Sequence, residues 1–350
     1  MFGRNLSLFT AAAVLLLGAC NAGPETSDLF GIPRDRPEPT GVPETPAPPD
    51  AGSPGTDVVP ADAGTDSTPD TPSAGNGIFP PDSDWNTRID NAAVDPRSDA
   101  YIASMGADLP LVASWDETGH GLPYVEVTGD QKKVPVSFWG HPKESDPGPY
   151  PIPWNAPVQI GSDGHVLVVD RANGWLYELF QASRNPDGSW EASNGAKWNL
   201  RTAAPRPLRW TSADAAGMPV FPGVVRYEEV KAGWIGHALR FAVNRSQRGF
   251  VWPASHAAGT CALGSDCPPM GLRVRLKKSV DISRFSNRMQ VILRALQLYG
   301  MFVVDNTGTN ESWWLSGAPD PGWSDEENLT LGTIRGRDFE VVAHDEIQAQ

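Results

Sequence analysis

Glycosidic bonds are commonly cleaved by two carboxyl groups, one holding a proton and one ionised. Carboxylates beside apolar runs are therefore the first residues in this sequence that could do chemistry: Asp170, Glu178, Asp214, Glu228, Glu229 and Asp305. Glu178 is the most informative, because a glutamate inside Trp175-Leu-Tyr-Glu-Leu-Phe180 is costly to bury without a partner. Each has a plainer role open to it. Glu178 can pair with Arg171 across a hairpin, and Asp170 can bond backbone near Asn173. Asp305 can close an Asx turn, and Asp214 can cap a helix. Glu178, Asp170 and Asp305, with His237 as a possible partner base, form the candidate catalytic set.

His165, His237 and His256 sit on separate strand-like runs and could ligate a metal or supply a base. No short ligand spacing links them, so no metal site is assigned and no cofactor is expected. The sequence has no Walker loop, dinucleotide glycine fingerprint, His-Glu-x-x-His or Gly-x-Ser-x-Gly. All thirteen tryptophans lie beyond residue 81. Indoles stack on the apolar faces of sugars, which makes Trp175, Tyr177, Trp252, Trp313 and Trp314 candidate substrate-binding residues, with core packing as the alternative. Cys261 and Cys267 have the spacing of a local disulfide, worth roughly 2 kcal/mol by loop closure, which argues against a cysteine nucleophile.

The elements that must position these groups centre on residues 165–180. Two apolar runs meet at Asn173-Gly174, the pairing suited to a two-residue hairpin turn, which sets Asp170 opposite Tyr177 and Val169 opposite Glu178. One face then carries Val166, Val168, Asp170, Trp175, Tyr177 and Leu179. The other carries His165, Leu167, Val169, Arg171, Leu176, Glu178 and Phe180. Both faces are mostly apolar, which predicts a central hairpin. Met289, Ile292, Leu293, Leu296 and Tyr299 follow helical spacing and predict one main amphipathic helix over 286–299. Strands are expected at 109–113, 124–127, 134–138, 196–200, 224–227, 234–243, 249–252, 272–276 and 301–304, with a capped helical turn at 211–217. Many short strands and few helices predict an α+β, β-rich fold, a single two-sheet sandwich-like domain over 82–347.

The N-terminus addresses location. Arg4 precedes an apolar run, Leu6–Leu17, too short to span a bilayer. It ends in Leu17-Gly18-Ala19-Cys20, which resembles the lipobox of bacterial lipoproteins. That resemblance implies removal of residues 1–19, lipidation of Cys20 and membrane anchoring. Asn21 after the cysteine leans toward the outer membrane or cell surface of a Gram-negative bacterium. Residues 20–81 form a Pro/Asp/Thr/Gly-rich stalk. Its ten carboxylates against two arginines carry −8 of the chain's net −14. The modest charge left on the folded part argues against a nucleic-acid partner.

Trp85-Asn86-Thr87, the hairpin, Ser212–Gly217, Gly236–Phe241 and Tyr299–Asn306 resemble a broad set of uncharacterised secreted bacterial proteins. That set has no established activity, so it transfers no catalytic residues. The expectation is an anchored lipoprotein acting on extracellular polysaccharide as a hydrolase or lyase. The alternatives are a non-catalytic glycan- or surface-binding lipoprotein and a metal-dependent hydrolase using His165, His237 and His256.

Overall fold

The structure, a computed structural model, describes residues 78–307 and 312–350. The signal segment, Cys20 and almost all of the stalk lie outside the described residues. Val166–Asp170 and Trp175–Phe180 form the central hairpin, with Asp170 opposite Trp175, Val168 opposite Tyr177 and Leu167 opposite Glu178. The turn is four residues, Arg171 to Gly174, rather than two. Asp170 closes it by accepting from Asn173 N at 3.1 Å and Asn173 Nδ2 at 2.8 Å, and Gly174 takes a φ of 74°. The pairing is therefore two residues away from the expected register. A slip of two preserves side-chain parity, so both faces hold the residues that alternation assigns to them.

Each face is buried. Val166, Val168, Tyr177 and Leu179 pack with Tyr150, Ile152, Trp190 and Ala192 in a smaller core. Leu167, Val169 and Leu176 join the main core. The hairpin is the middle of a four-stranded sheet, flanked by Tyr124–Glu126 and Asn194–Asn199. A six-stranded mixed sheet runs in the order Leu111–Ala113, Trp313–Leu315, Leu239–Val243, Met301–Asn306, Arg273–Leu276, Phe339–Val341. Its Leu239, Phe241, Val274, Met301 and Val303 fill the same main core. A three-stranded sheet of Val136–Phe138, Trp190–Ala192 and Ser183–Arg184 supplies Trp190 and Ala192 to the smaller one. The fold is α+β and β-rich, as the patterning predicts.

The main helix is Asn287–Leu298. Ser286 caps it by accepting from Met289 N, and Gly300, at φ 67°, turns the chain out of it. Met289, Ile292, Leu293 and Leu296 are all buried, packed over the strand Arg273–Leu276, each contributing about 2 kcal/mol. No helix among the described residues is long and apolar enough to cross a membrane. Residues 224–227 do not form a strand. They make one isolated bridge, Val225 to Gly317, before the helix Tyr227–Ala232. Cys261 and Cys267 are disulfide-bonded.

Trp313 and Trp314 point to opposite faces of their strand. Trp313 is fully buried between the rings of Phe241 and Phe339, each 5.2 Å away, and donates to Met105 O at 3.0 Å. It is a packing residue with no path to a ligand. Trp313→Ala is expected to destabilise the fold by about 3–5 kcal/mol, read as a drop in the urea midpoint at unchanged m-value.

Candidate functional site

The hairpin carboxylates are both committed to the fold. Glu178 is 0% exposed and has no contact with Arg171, which pairs instead with Glu126 at 2.9 Å. Three N–H groups converge on its carboxylate: Phe221 N at 2.8 Å, Val220 N at 2.9 Å and Trp198 Nε1 at 2.9 Å. Burial pushes its pKa up to about 7; those donors oppose the rise and the charge of Asp214 adds to it. Glu178 thus fastens the hairpin to the loop entering the short 3-10 turn Phe221–Gly223 and reaches no cleft. Asp170 is spent on its own turn.

His237 belongs to a buried charge cluster beside the helix Tyr227–Ala232. Its Nδ1 meets Ala238 O at 2.8 Å, and its Nε2 meets Glu229 Oε2 at 3.2 Å and Arg226 at 3.3 Å. Arg226 also donates to Glu229 at 2.5 Å. Burial works against the Glu229 carboxylate, but the charges of His237 and Arg226 outweigh it and hold the pKa below the ordinary range. His256 meets Ala215 O at 2.7 Å, and burial lowers its pKa. Among the described residues no group of three or more His, Cys, Asp or Glu is arranged to hold a metal ion, so His165, His237 and His256 form no such set.

Asp305 has a different setting. Met301–Asn306 runs parallel to Leu239–Val243, and the pairing shifts between Val303, opposite Phe241, and Asp305, opposite Ala242. One extra residue, Val304, is bulged out. Without it Asp305 would share the core face with Val243. The bulge re-aims it to the face of Arg240 and Ala242, where Trp314 lies across from Ala242 on the neighbouring strand. The lead-in to the hairpin, Ser162-Asp163-Gly164-His165, meets the same face. It is held by Gln181 N to Asp163 O at 2.7 Å and Ala182 N to Gly164 O at 3.0 Å. Asp163, His165, Arg240, Asp305, Trp314 and Ser316 line one cavity of about 30 Å³, room for about one water.

The electrostatics of this cavity are unbalanced. Arg240 donates to Asp214 Oδ2 at 2.5 Å and Ser316 Oγ at 3.0 Å, while its buried Nε has no partner among the described residues. Asp214 also accepts from Ala216 N at 2.8 Å, so 211–217 is a side-chain-bonded turn rather than a helical one. Asp163 is buried, and its Oδ1 has no partner among the described residues. One guanidinium therefore serves three carboxyls. Burial raises Asp305 to about 7, with the charges of Asp214 and Asp163 adding to it and Asn306 N–H and Arg240 opposing. The residue keeps some exposure although its carboxyl is densely surrounded. Burial also raises Asp163 to about 6 against Arg240, and raises Asp214. His165 is lowered to about 4 by burial, its Nδ1 against the Gln159 carboxamide at 2.5 Å and its Nε2 donating to Ala213 O at 2.8 Å. Both ring nitrogens are occupied and the lowered pKa keeps the ring neutral near pH 7, so its role is to position.

The aromatic candidates separate. Tyr177, whose ring lies 5.2 Å from that of Tyr150, and Trp175 pack on the smaller core. Trp314 walls the acidic cavity. Trp252 lines a second cleft with Trp85 and Trp198. Asp163 and Arg240 were not among the sequence candidates. Asp163 follows no strand pattern, and Arg240 looks like an ordinary strand charge until the sheet is assembled.

Two outcomes follow from this geometry. Glu178→Ala strands three buried donors and should cost on the order of 3 kcal/mol in chemical denaturation. Asp305 holds its proton more tightly folded than unfolded, so its stabilisation is complete below about pH 4 and is lost as pH rises through about 7. The stability of Asp305→Asn relative to the parent should therefore increase between pH 4 and 8. A difference that is flat with pH would show that Asp305 titrates normally.

The chain matches no family model, no curated protein and no solved structure.

Proposed function

We propose that the chain is a surface-anchored lipoprotein whose folded part cleaves an extracellular polysaccharide by acid–base chemistry at the Asp163–Asp305 cavity. Anchoring is inferred from Leu17-Gly18-Ala19-Cys20 and the acidic, proline-rich stretch that follows. The observation that supports catalysis is the pair of raised carboxyls, Asp305 at about 7 and Asp163 at about 6, on one cavity whose arginine is already bound to a third. Such a pair divides the labour: one carboxyl holds a proton where the other has lost it. Asp305 is assigned as the acid that protonates the leaving oxygen. Asp163, with an open oxygen, is assigned as the base for water. Arg240 Nε, buried and unpartnered among the described residues, is assigned as a donor to that water. The cavity has room for the water rather than the sugar, which would rest at its mouth against Trp314.

The test is incubation of the protein with a panel of polysaccharides and mass analysis of released products. Product is expected with at least one substrate. Activity should fall as pH rises through about 7, where Asp305 loses its proton, and as pH falls through about 6, where Asp163 gains one. Asp305→Asn and Asp163→Asn should each lower turnover by about 10²-fold or more. Binding without product from any substrate would make the protein a glycan-binding lipoprotein instead.

A further inference from the structure

The cleft at Trp252 is built differently from the acidic cavity, and the two share no lining residue. Its volume is about 220 Å³, below the roughly 300–1,000 Å³ of pockets that enclose a drug-sized ligand, so it suits one compact group. Trp85, Trp198 and Trp252 line it together with Pro205, Pro219 and Pro253. Trp198 cannot turn, because its Nε1 is held by Glu178 at 2.9 Å. Trp252 is 47% exposed, and its Nε1 donates to Asp84 Oδ2 at 2.8 Å, which fixes the ring at the rim.

The charge lining the cleft has one sign. Asp82 and Asp84 line it, and among the described residues no lysine or arginine does. Neither aspartate has an ion-pair partner among the described residues. Nearby guanidinium groups are committed elsewhere. Arg273, which feels the charge of Asp84, donates to Tyr299 O at 2.9 Å and Thr87 O at 2.8 Å. Arg206, stacked over Trp198, is bound to Asp146 at 2.5 Å. Indole faces carry negative potential and attract cations, and the Asp82 and Asp84 carboxylates act in the same direction, with Asp84 answered only in part by the buried Arg273. Uronate or sulfate groups would be repelled.

We propose that this cleft is a binding site for a protonated amine carried on a compact ring, the chemistry of a de-N-acetylated amino sugar. The exposed indole of Trp252, beside the buried Trp85 and Trp198, takes the apolar face of the ring, and Asp84 with Asp82 takes the ammonium group. The site does not depend on the catalytic assignment of Asp305.

The test is calorimetric titration of the full chain with a glucosamine tetramer, its fully N-acetylated counterpart, and tetramethylammonium as competitor. The glucosamine tetramer is expected to bind about tenfold or more tightly than the acetylated one, the loss anticipated when a cation–π contact and its carboxylate partner disappear. Trp252→Ala and Asp84→Asn should each weaken that binding about fivefold or more at unchanged melting temperature, while Asp305→Asn leaves it intact. Competition by tetramethylammonium would show that the charge alone is recognised. Its failure, with glucosamine still bound, would assign recognition to amine and ring together. Equal binding of the two tetramers, no detectable binding of either, or binding unaffected by both cleft variants would overturn the proposal.

Discussion

Arg240 brings one positive charge into a space that also holds Asp163, Asp214 and Asp305. Only Asp214 is bonded to it directly, at 2.5 Å. A buried ion pair is weak evidence for stability, since the loss of hydration roughly offsets the attraction, but removing one partner leaves an uncompensated charge and costs several kcal/mol. The Arg240–Asp214 pair is therefore better read as fixing a position than as adding stability. Its effect is to hold a cation where two further carboxyls meet it without fully sharing it. Burial raises both carboxyls, and the one shared cation offsets only part of that rise.

The hairpin supports this arrangement through its polar side chains rather than its strands. His165 donates to Ala213 O, and Glu178 accepts from the amides of Val220 and Phe221. These contacts grip the segment from 213 to 221 at both ends, and Asp214 lies just inside the first. The buried glutamate and histidine that seem out of place in an apolar ribbon are clamps on the loop that delivers Asp214 to Arg240. The hairpin is thus the centre of the fold and a support for the cavity, while the cavity's own titrating groups come from its lead-in and from the facing sheet.

Features governed by local chemistry were legible in the sequence. Side-chain parity in residues 165–180 survives a register error of two, because alternation depends only on odd and even spacing. The face of the helix 287–298 follows from its apolar spacing, and the Cys261–Cys267 pair from its separation and setting. What depended on distant chain was not legible. Glu178 binds backbone amides more than forty residues away, and an amide has no sequence signature. The direction of Asp305 turns on one bulged residue, Val304, which simple alternation places on the wrong face. Trp313 and Trp314 are neighbours on one strand and so must point opposite ways, but which of them is buried is decided by the sheet's neighbours.

The charge distribution also bears on which branch of the proposed chemistry suits this cavity. Elimination from a uronate requires that the substrate's carboxylate be accepted and neutralised beside the proton being removed. Here the cation lining the cavity is Arg240, and its charge is already answered by Asp214, with Asp163 and Asp305 in excess. A polyanionic chain would bring a further negative charge into a space that holds carboxyls protonated well above their usual range. A neutral or amine-bearing glycan meets no such penalty, and the carboxylates of the second cleft lean the same way. Within the proposed function, hydrolysis of an uncharged or cationic polysaccharide is the branch that the electrostatics favour over lyase chemistry.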